Sequence, residues 1–232
     1  VRAEFVGHPL ADQIPLTPDR AGARSELGLD ARAVVAILPG SRLGEVARLG
    51  DDFAGAVAWL AARRADLQFV APMASAPVRE RFEAALRRRA PGVAVQVVDG
   101  QAQRALAAAD VVLVASGTAT LETMLSKRAM VVAYRLSALT SWLVRRFDLM
   151  KAPHFAQPNL LAGRVVVPEL FQEQVTPAAL GGELLAQLDD PAARDTLAAL
   201  FTDLHLKLRR NASARAAEAI LSLVPHPQAV ST

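Results

Sequence analysis

Six short apolar runs, nearly free of charge, recur along this chain at intervals of roughly 20 to 40 residues, and that rhythm most narrows what it can fold into. A strand covered on both faces is apolar at every position, and parallel neighbours need a long crossover between them. The runs at 33–38, 67–71, 93–98, 111–115 and 130–134 fit such strands, and 165–167 is a weaker sixth. Helical periodicity fills the gaps at 53–64, 78–89, 102–108 and 118–125. The pattern predicts an α/β fold, a Rossmann-like doubly wound parallel sheet. After Pro177 the strands stop and two or three helices follow, read as a closing C-terminal layer. The expected boundaries are a linker or crossover over 1–18, the nucleotide-binding domain over 19–176, closing helices over 177–224 and a frayed tail over 225–232.

Composition removes several function classes. A formal charge of +3 gives no basic groove for nucleic acid. With no cysteine there is neither a disulfide framework nor a thiolate metal site, and the four histidines have no zinc spacing. No uncharged apolar run reaches the length of a membrane span, and the opening residues have no signal-peptide pattern. The first residue is Val1 rather than Met and a compact motif follows at once, so an upstream portion is expected.

Two strand-to-helix turns carry the candidate chemistry. In Leu38-Pro39-Gly40-Ser41-Arg42, backbone N–H groups at a helix N-terminus and a nearby guanidinium favour a phosphate. Arg42 adds a charge-assisted contact, with Gly40 and Ser41 lining the cradle. In Ser116-Gly117-Thr118-Ala119-Thr120, small residues and hydroxyls surround a second helix N-terminus, again directly after an apolar strand. Glu122 follows, a carboxylate able to accept ribose hydroxyls or to act as an acid that offsets the helix dipole. Either turn alone reads equally well as an ordinary connection. Together, at the carboxyl ends of strands in one parallel sheet, they face one crevice and predict a nucleotide-diphosphate site.

A third motif, Gln157-Pro158-Asn159-Leu160-Leu161-Ala162-Gly163-Arg164, reads as a loop. Its Asn159 amide is a candidate for orienting a sugar or phosphate and Arg164 for neutralising an anion. His8, before a proline, reads as structural, and His154, His205 and His226 receive no role. The stretch 136–151 begins at Leu136 and sets Trp142, Leu143, Val144 and Phe147 beside Arg145, Arg146 and Lys151. That is either a core helix with a solvated edge or a basic amphipathic surface for an anionic bilayer.

Taken in order, Phe5-Val6-Gly7-His8-Pro9-Leu10-Ala11-Asp12, the Pro39-Gly40-Ser41-Arg42 turn with Glu45-Val46, the segment 115–122 and the 158–164 motif closely resemble the lipid-A-disaccharide synthases. The resemblance covers nearly the whole chain. It implies an inverting, metal-independent glycosyltransferase of the two-Rossmann-domain (GT-B) type, peripheral on the cytoplasmic face of the inner membrane of Gram-negative bacteria. Its expected donor substrate, in place of a cofactor, is UDP-2,3-diacylglucosamine. The expected acceptor is 2,3-diacylglucosamine 1-phosphate (lipid X), and the products are the lipid A disaccharide 1-phosphate and UDP. On the matching positions the resemblance implies Arg42 and Asn159 as catalytic residues and Glu122 as the ribose ligand. It implies Gly40, Ser41, Ser116, Gly117, Thr118, Ala119, Thr120 and Arg164 as donor-binding. Family members also carry an N-terminal domain with an acidic candidate base, which this sequence lacks. The closing helices are a candidate homodimer interface. Two other readings stay open: another UDP-sugar transferase or epimerase, and a non-catalytic nucleotide-binding module.

Overall fold

A computed structural model describes residues 3–136 and 154–223. Its elements run α1 (Pro9–Gln13), α2 (Arg20–Glu26), β1 (Ala33–Leu38), α3 (Leu43–Ala61), β2 (Leu67–Met73), α4 (Ala76–Arg89), β3 (Val95–Asp99), α5 (Ala102–Ala108), β4 (Val111–Ala115), α6 (Thr118–Leu125) and β5 (Ala129–Tyr134). Then follow α7 (Gln157–Ala162), β6 (Glu169–Phe171), a 3-10 turn (Gln172–Gln174), α8 (Pro177–Asp189), α9 (Pro191–Leu208) and α10 (Ala212–Leu221). The strands form one sheet in the order β3-β2-β1-β4-β5-β6, every pair parallel. The chain therefore leaves β1 toward one edge and returns through β4 toward the other. The switch point lies between β1 and β4, where Ile37 is paired with Leu113 and Leu38 with Val114.

Alternation along β1 shows how the sheet is buried. Val35 and Ile37 pack into one core with Leu49, Phe53 and Leu60 of α3, Phe82 of α4, and Leu180 and Leu184 of α8. Val34, Ala36 and Leu38 pack into the other with Leu106 of α5, Leu121 and Met124 of α6, and Phe201 and Leu204 of α9. The closing helices are thus divided between the two faces of the sheet and do not form a single end layer. Ala11 and Ile14 are buried as well, so the segment expected as a linker contributes to the core.

Three boundaries differ from expectation. Helix α3 begins ten residues before the expected start at 53, because Gly44 and Gly50 are helical here. Gly50 lies where α3 and α4 meet, and a Cβ on it would come within 3.7 Å of Ala85 Cβ. The sixth strand is 169–171, not 165–167, because the backbone N–H groups of Val166 and Val167 donate to the Asn159 side chain (2.7 and 2.9 Å) instead of to a neighbouring strand. The 157–164 motif is a short helix closed by Gly163 in the left-handed conformation (φ 67°), not a loop.

Two cross-links hold the carboxyl edge of the sheet. Just past β5, Arg135 donates to the carbonyls of Arg48 (3.0 Å) and Val175 (2.7 Å) and pairs with Asp52. Arg48 Nε donates back to the Arg135 carbonyl at 3.0 Å, which fixes the first turns of α3 against the end of β5. At the other side of the molecule the first and last helices are clasped. The N–H of His8 donates to the Leu208 carbonyl (2.9 Å), and Asp12 accepts from the N–H groups of Asn211 (2.9 Å) and Ala212 (2.7 Å) at the start of α10. No described helix is long and apolar enough to cross a membrane. Apart from Leu136, the 136–151 stretch expected to meet lipid lies outside the described residues, as do the 225–232 tail and His226.

Candidate functional site

The loops after β1, β2, β3 and β4 enclose a cleft of about 280 Å³ at the β1/β4 switch point. Gly40, Ser41, Arg42 and Glu45 form one wall, and Ser116, Gly117, Thr118, Ala119 and Glu122 form the facing one. Pro72, Met73, Ala74, Gly100 and Ala102, from the ends of β2 and β3, line a more apolar end on the far side of β1. The two turns singled out in the sequence therefore face one crevice.

The first wall is not an empty cradle. Glu45, the third residue of α3, reaches back so that its Oε2 accepts from the backbone N–H groups of Ser41 (2.9 Å) and Arg42 (3.2 Å). Its Oε1 lies 3.4 Å from the Arg42 guanidinium. The donors expected to await a phosphate are thus occupied by a carboxylate of the same chain. Gly40 makes this possible. Its φ is +126°, and a Cβ there would stand 2.5 Å from Glu45 Cβ and 2.6 Å from Glu45 Oε2. The Arg42 side chain remains 84% exposed, free to turn toward a ligand.

The second wall is built differently. Helix α6 starts at Thr118; the N–H of Thr120 is bonded back to the Gly117 carbonyl (3.1 Å), which leaves those of Thr118 and Ala119 at the cleft as the donors of the first turn. Among the described residues no carboxylate folds back over them. Ser116 is fixed by its own N–H on the Ala133 carbonyl (2.9 Å) and by its hydroxyl on the Phe155 carbonyl (3.2 Å). Glu122, the fifth residue of α6, lies beyond capping reach and lines the cleft half-buried. Desolvation raises its pKa above the ordinary glutamate value of 4.5.

Three expected contacts are placed elsewhere. Thr120 is fully buried: its hydroxyl donates to the Gly117 carbonyl (2.8 Å) and accepts from Gln157 N–H (3.4 Å), so it shapes the turn from behind. Asn159 is also fully buried, and its amide is spent within the chain. It donates to the Val167 carbonyl (2.9 Å) and Glu169 (2.8 Å) and accepts from Val166 and Val167. No polar atom of Asn159 is left for a donor sugar. Arg164 lies with Ala129, the first residue of β5, Glu183 and Arg194 in a hollow at the amino edge of the sheet, away from the crevice.

The three described histidines have structural partners. His8 Nδ1 accepts from Leu10 N–H at 3.2 Å, as expected of a structural residue. Buried His205 bridges Lys127 Nζ (2.6 Å) and the Ala11 carbonyl (2.8 Å), and the desolvation of Lys127 itself, with Arg128 and Arg209 nearby, lowers its pKa to about 8. His154 stands 3.9 Å from Glu169, a partner that sequence distance concealed. Glu169 in turn accepts from Ala156 N–H (2.8 Å), so Asn159 and Glu169 hold the backbone that carries the Phe155 carbonyl beneath Ser116.

Sequence reasoning missed the role of Glu45 and the apolar end of the cleft. Both left signals. Glu45 stands three residues after Arg42, the spacing of a capping box, and Gly100 follows a strand just as Gly40 and Gly117 do.

Comparison with known proteins adds to this geometry. Residues 1–222 match the model of the lipid-A-disaccharide synthetase family. The lipid-A-disaccharide synthase of Hahella chejuensis is 48% identical over 225 residues, which are 97% of this chain and 56% of that protein. The chain thus spans little more than half of that relative. In fold it is similar to WaaG, a glycosyltransferase involved in lipopolysaccharide biosynthesis, with a TM-score of 0.62 at 17% identity over 92% of this chain and 54% of that one. It is likewise similar to the C-terminal domain of a group 1 glycosyl transferase (LpcC) from Francisella tularensis, with a TM-score of 0.58 at 15% identity over 84% of this chain and 96% of that domain. The six-stranded parallel sheet and its flanking helices share the fold of these two structures.

Proposed function

The chain belongs to the lipid-A-disaccharide synthetase family, and from that premise we propose that it is the donor-binding half of an inverting glycosyltransferase. The complete enzyme joins UDP-2,3-diacylglucosamine to 2,3-diacylglucosamine 1-phosphate. The observation that carries this reading is the pair of helix N-termini facing each other across the β1/β4 crevice with Arg42 on one side and Glu122 on the other. The diphosphate bridges the walls, meeting the first-turn N–H groups of α6 and the guanidinium of Arg42. Glu122 accepts from the ribose hydroxyls. The uracil lies at the apolar end formed by Met73, Ala74, Gly100 and Ala102, where a flat base replaces water over small side chains.

In the displacement, an acceptor hydroxyl forms a bond to the sugar's anomeric carbon as the bond from that carbon to the diphosphate oxygen breaks. Negative charge grows on the departing UDP, where Arg42 and the helix ends stabilise it. The proton of the acceptor hydroxyl passes to a base in the N-terminal domain of the complete enzyme, which also supplies the acceptor site. The enzyme works on the cytoplasmic face of the inner membrane, with 136–151 meeting anionic lipid, and pairs as a homodimer.

Calorimetry of this chain with UDP and with uridine tests the crevice. UDP is expected to bind and uridine to bind far more weakly, and equal affinities would remove the diphosphate from the site. Turnover after the N-terminal domain is supplied, compared between diacylated and unacylated UDP-glucosamine, tests the substrate. Equal rates on the two would point to a different UDP-sugar enzyme.

A further inference from the structure

The carboxylate of Glu45 occupies the place where an anion of the donor is expected. It takes the N–H groups of both Ser41 and Arg42 and lies 3.4 Å from the Arg42 guanidinium, so one side chain occupies both backbone donors of that turn. An acid at this helix position commonly caps its own N-terminus, and were that all, its placement would concern stability alone. Two features go further. Glu45 itself lines the cleft, with its side chain 24% exposed there. The turn is also shaped to let the carboxylate in, since a Cβ at Gly40 would overlap both its stem and its oxygen.

We propose that Glu45 is an internal competitor of the donor's diphosphate, holding the first turn while the site is empty and yielding it when UDP binds. This rests on the reading of the crevice as a UDP-sugar site. Two anions cannot share the same two N–H groups, and like charges held within a few ångströms repel strongly where water is partly excluded. Binding therefore exchanges one carboxylate for a more highly charged diphosphate, and the reverse exchange helps to expel UDP after transfer. An uncharged nucleoside has nothing to exchange, so the competitor tempers diphosphate affinity without weakening contacts at the base.

The test is calorimetric titration of the 232-residue chain and its Glu45→Gln variant with UDP and with uridine. Glutamine keeps an oxygen that can accept from Ser41 and Arg42 but carries no charge. UDP is expected to bind Glu45→Gln about tenfold more tightly than wild type, while uridine binds both within about twofold. UDP binding that is unchanged or weaker in the variant, with uridine binding intact, overturns the proposal and leaves Glu45 as a brace of the turn. If wild type binds UDP no better than uridine, the crevice reading itself fails, and the proposal with it. The wild-type chain supplies a second measurement that needs no variant. The amide resonances of Ser41 and Arg42 should shift on titration with UDP and stay in place with uridine; amides unmoved by saturating UDP would also overturn it.

Discussion

The turns after β1 and β4 occupy equivalent places on either side of the switch point, yet one is filled by its own chain and the other is open. After β1, a glycine with positive φ admits Glu45, and the backbone donors are satisfied internally. After β4, the hydroxyls of Ser116 and Thr120 turn inward to neighbouring carbonyls, and no described carboxylate reaches the first turn of α6. The difference teaches that a helix N-terminus at a strand end is only a potential anion site. What occupies it in the free protein decides whether a ligand meets ready donors or must displace a competitor. Here the open turn offers fixed dipoles, and the filled turn offers a mobile guanidinium behind an exchangeable carboxylate.

Removing the guanidinium should have the largest effect. Arg42→Ala in the complete enzyme is expected to lower kcat by about a hundredfold to a thousandfold, the usual cost of losing one stabiliser of a leaving anion. Steady-state turnover reads this directly, and near-normal rates would take Arg42 off the catalytic list. The open turn is expected to depend instead on support from behind. Asn159→Ala strips a buried hydrogen-bonded amide and leaves Glu169 and two backbone N–H groups short of partners, so stability should drop by about 3 kcal/mol. Chemical denaturation measures the loss. An Asn159→Ala variant of undiminished stability that had lost UDP affinity would return Asn159 to the ligand.

Gly40→Ala probes the filled turn and should cost about 1–2 kcal/mol, through both the positive φ and the overlap with Glu45. Adding Glu45→Ala should recover part of that cost in thermal unfolding, because the overlap disappears while the backbone strain stays. No recovery would mean that Glu45 does not press on Gly40. The smallest effect concerns Glu122. Because burial raises its pKa, the folded chain holds the proton more tightly than the unfolded one, so this group favours folding in acid and loses that contribution as pH rises above about 4.5. Ribose recognition follows the opposite course, since the ionised carboxylate is the better acceptor. The preference for UDP over its 2′-deoxy analogue should grow by a few-fold as pH rises through that range, and Glu122→Gln should flatten the profile. An identical pH profile in the variant would place ribose recognition elsewhere.

Much of this architecture was legible in the sequence because doubly covered strands tolerate no charge: 33–38 and 111–115 coincide with β1 and β4 to the residue. The crevice followed from the same rule, since parallel order places both glycine turns at one edge. Features that depend on side-chain direction were hidden. The helical period is legible only from 53, yet Gly44 and Gly50 are helix residues, Gly50 where α3 packs closely against α4. The run at 165–167 has the composition of a strand, but one buried amide intercepts its backbone donors. The polar character of Asn159 suggested a ligand contact, and only its complete burial shows where those bonds go. The spacing of Glu45 from Arg42 is that of a capping box, but its overlap with the place of a ligand depends on the positive φ of Gly40, which spacing alone does not reveal.

The clasp joining Asp12 to the start of α10 also bears on how the molecule is made. Asp12 meets partners 199 and 200 positions later, so its carboxylate has nothing to bind until nearly all the described chain has left the ribosome. The sheet and its inner helices can assemble during synthesis from contacts between close neighbours, while the Asp12 clasp waits. The bond between α1 and α10 is therefore among the last that this half of the molecule can make, although α1 shares a core with α5 and α6 from the moment those are present.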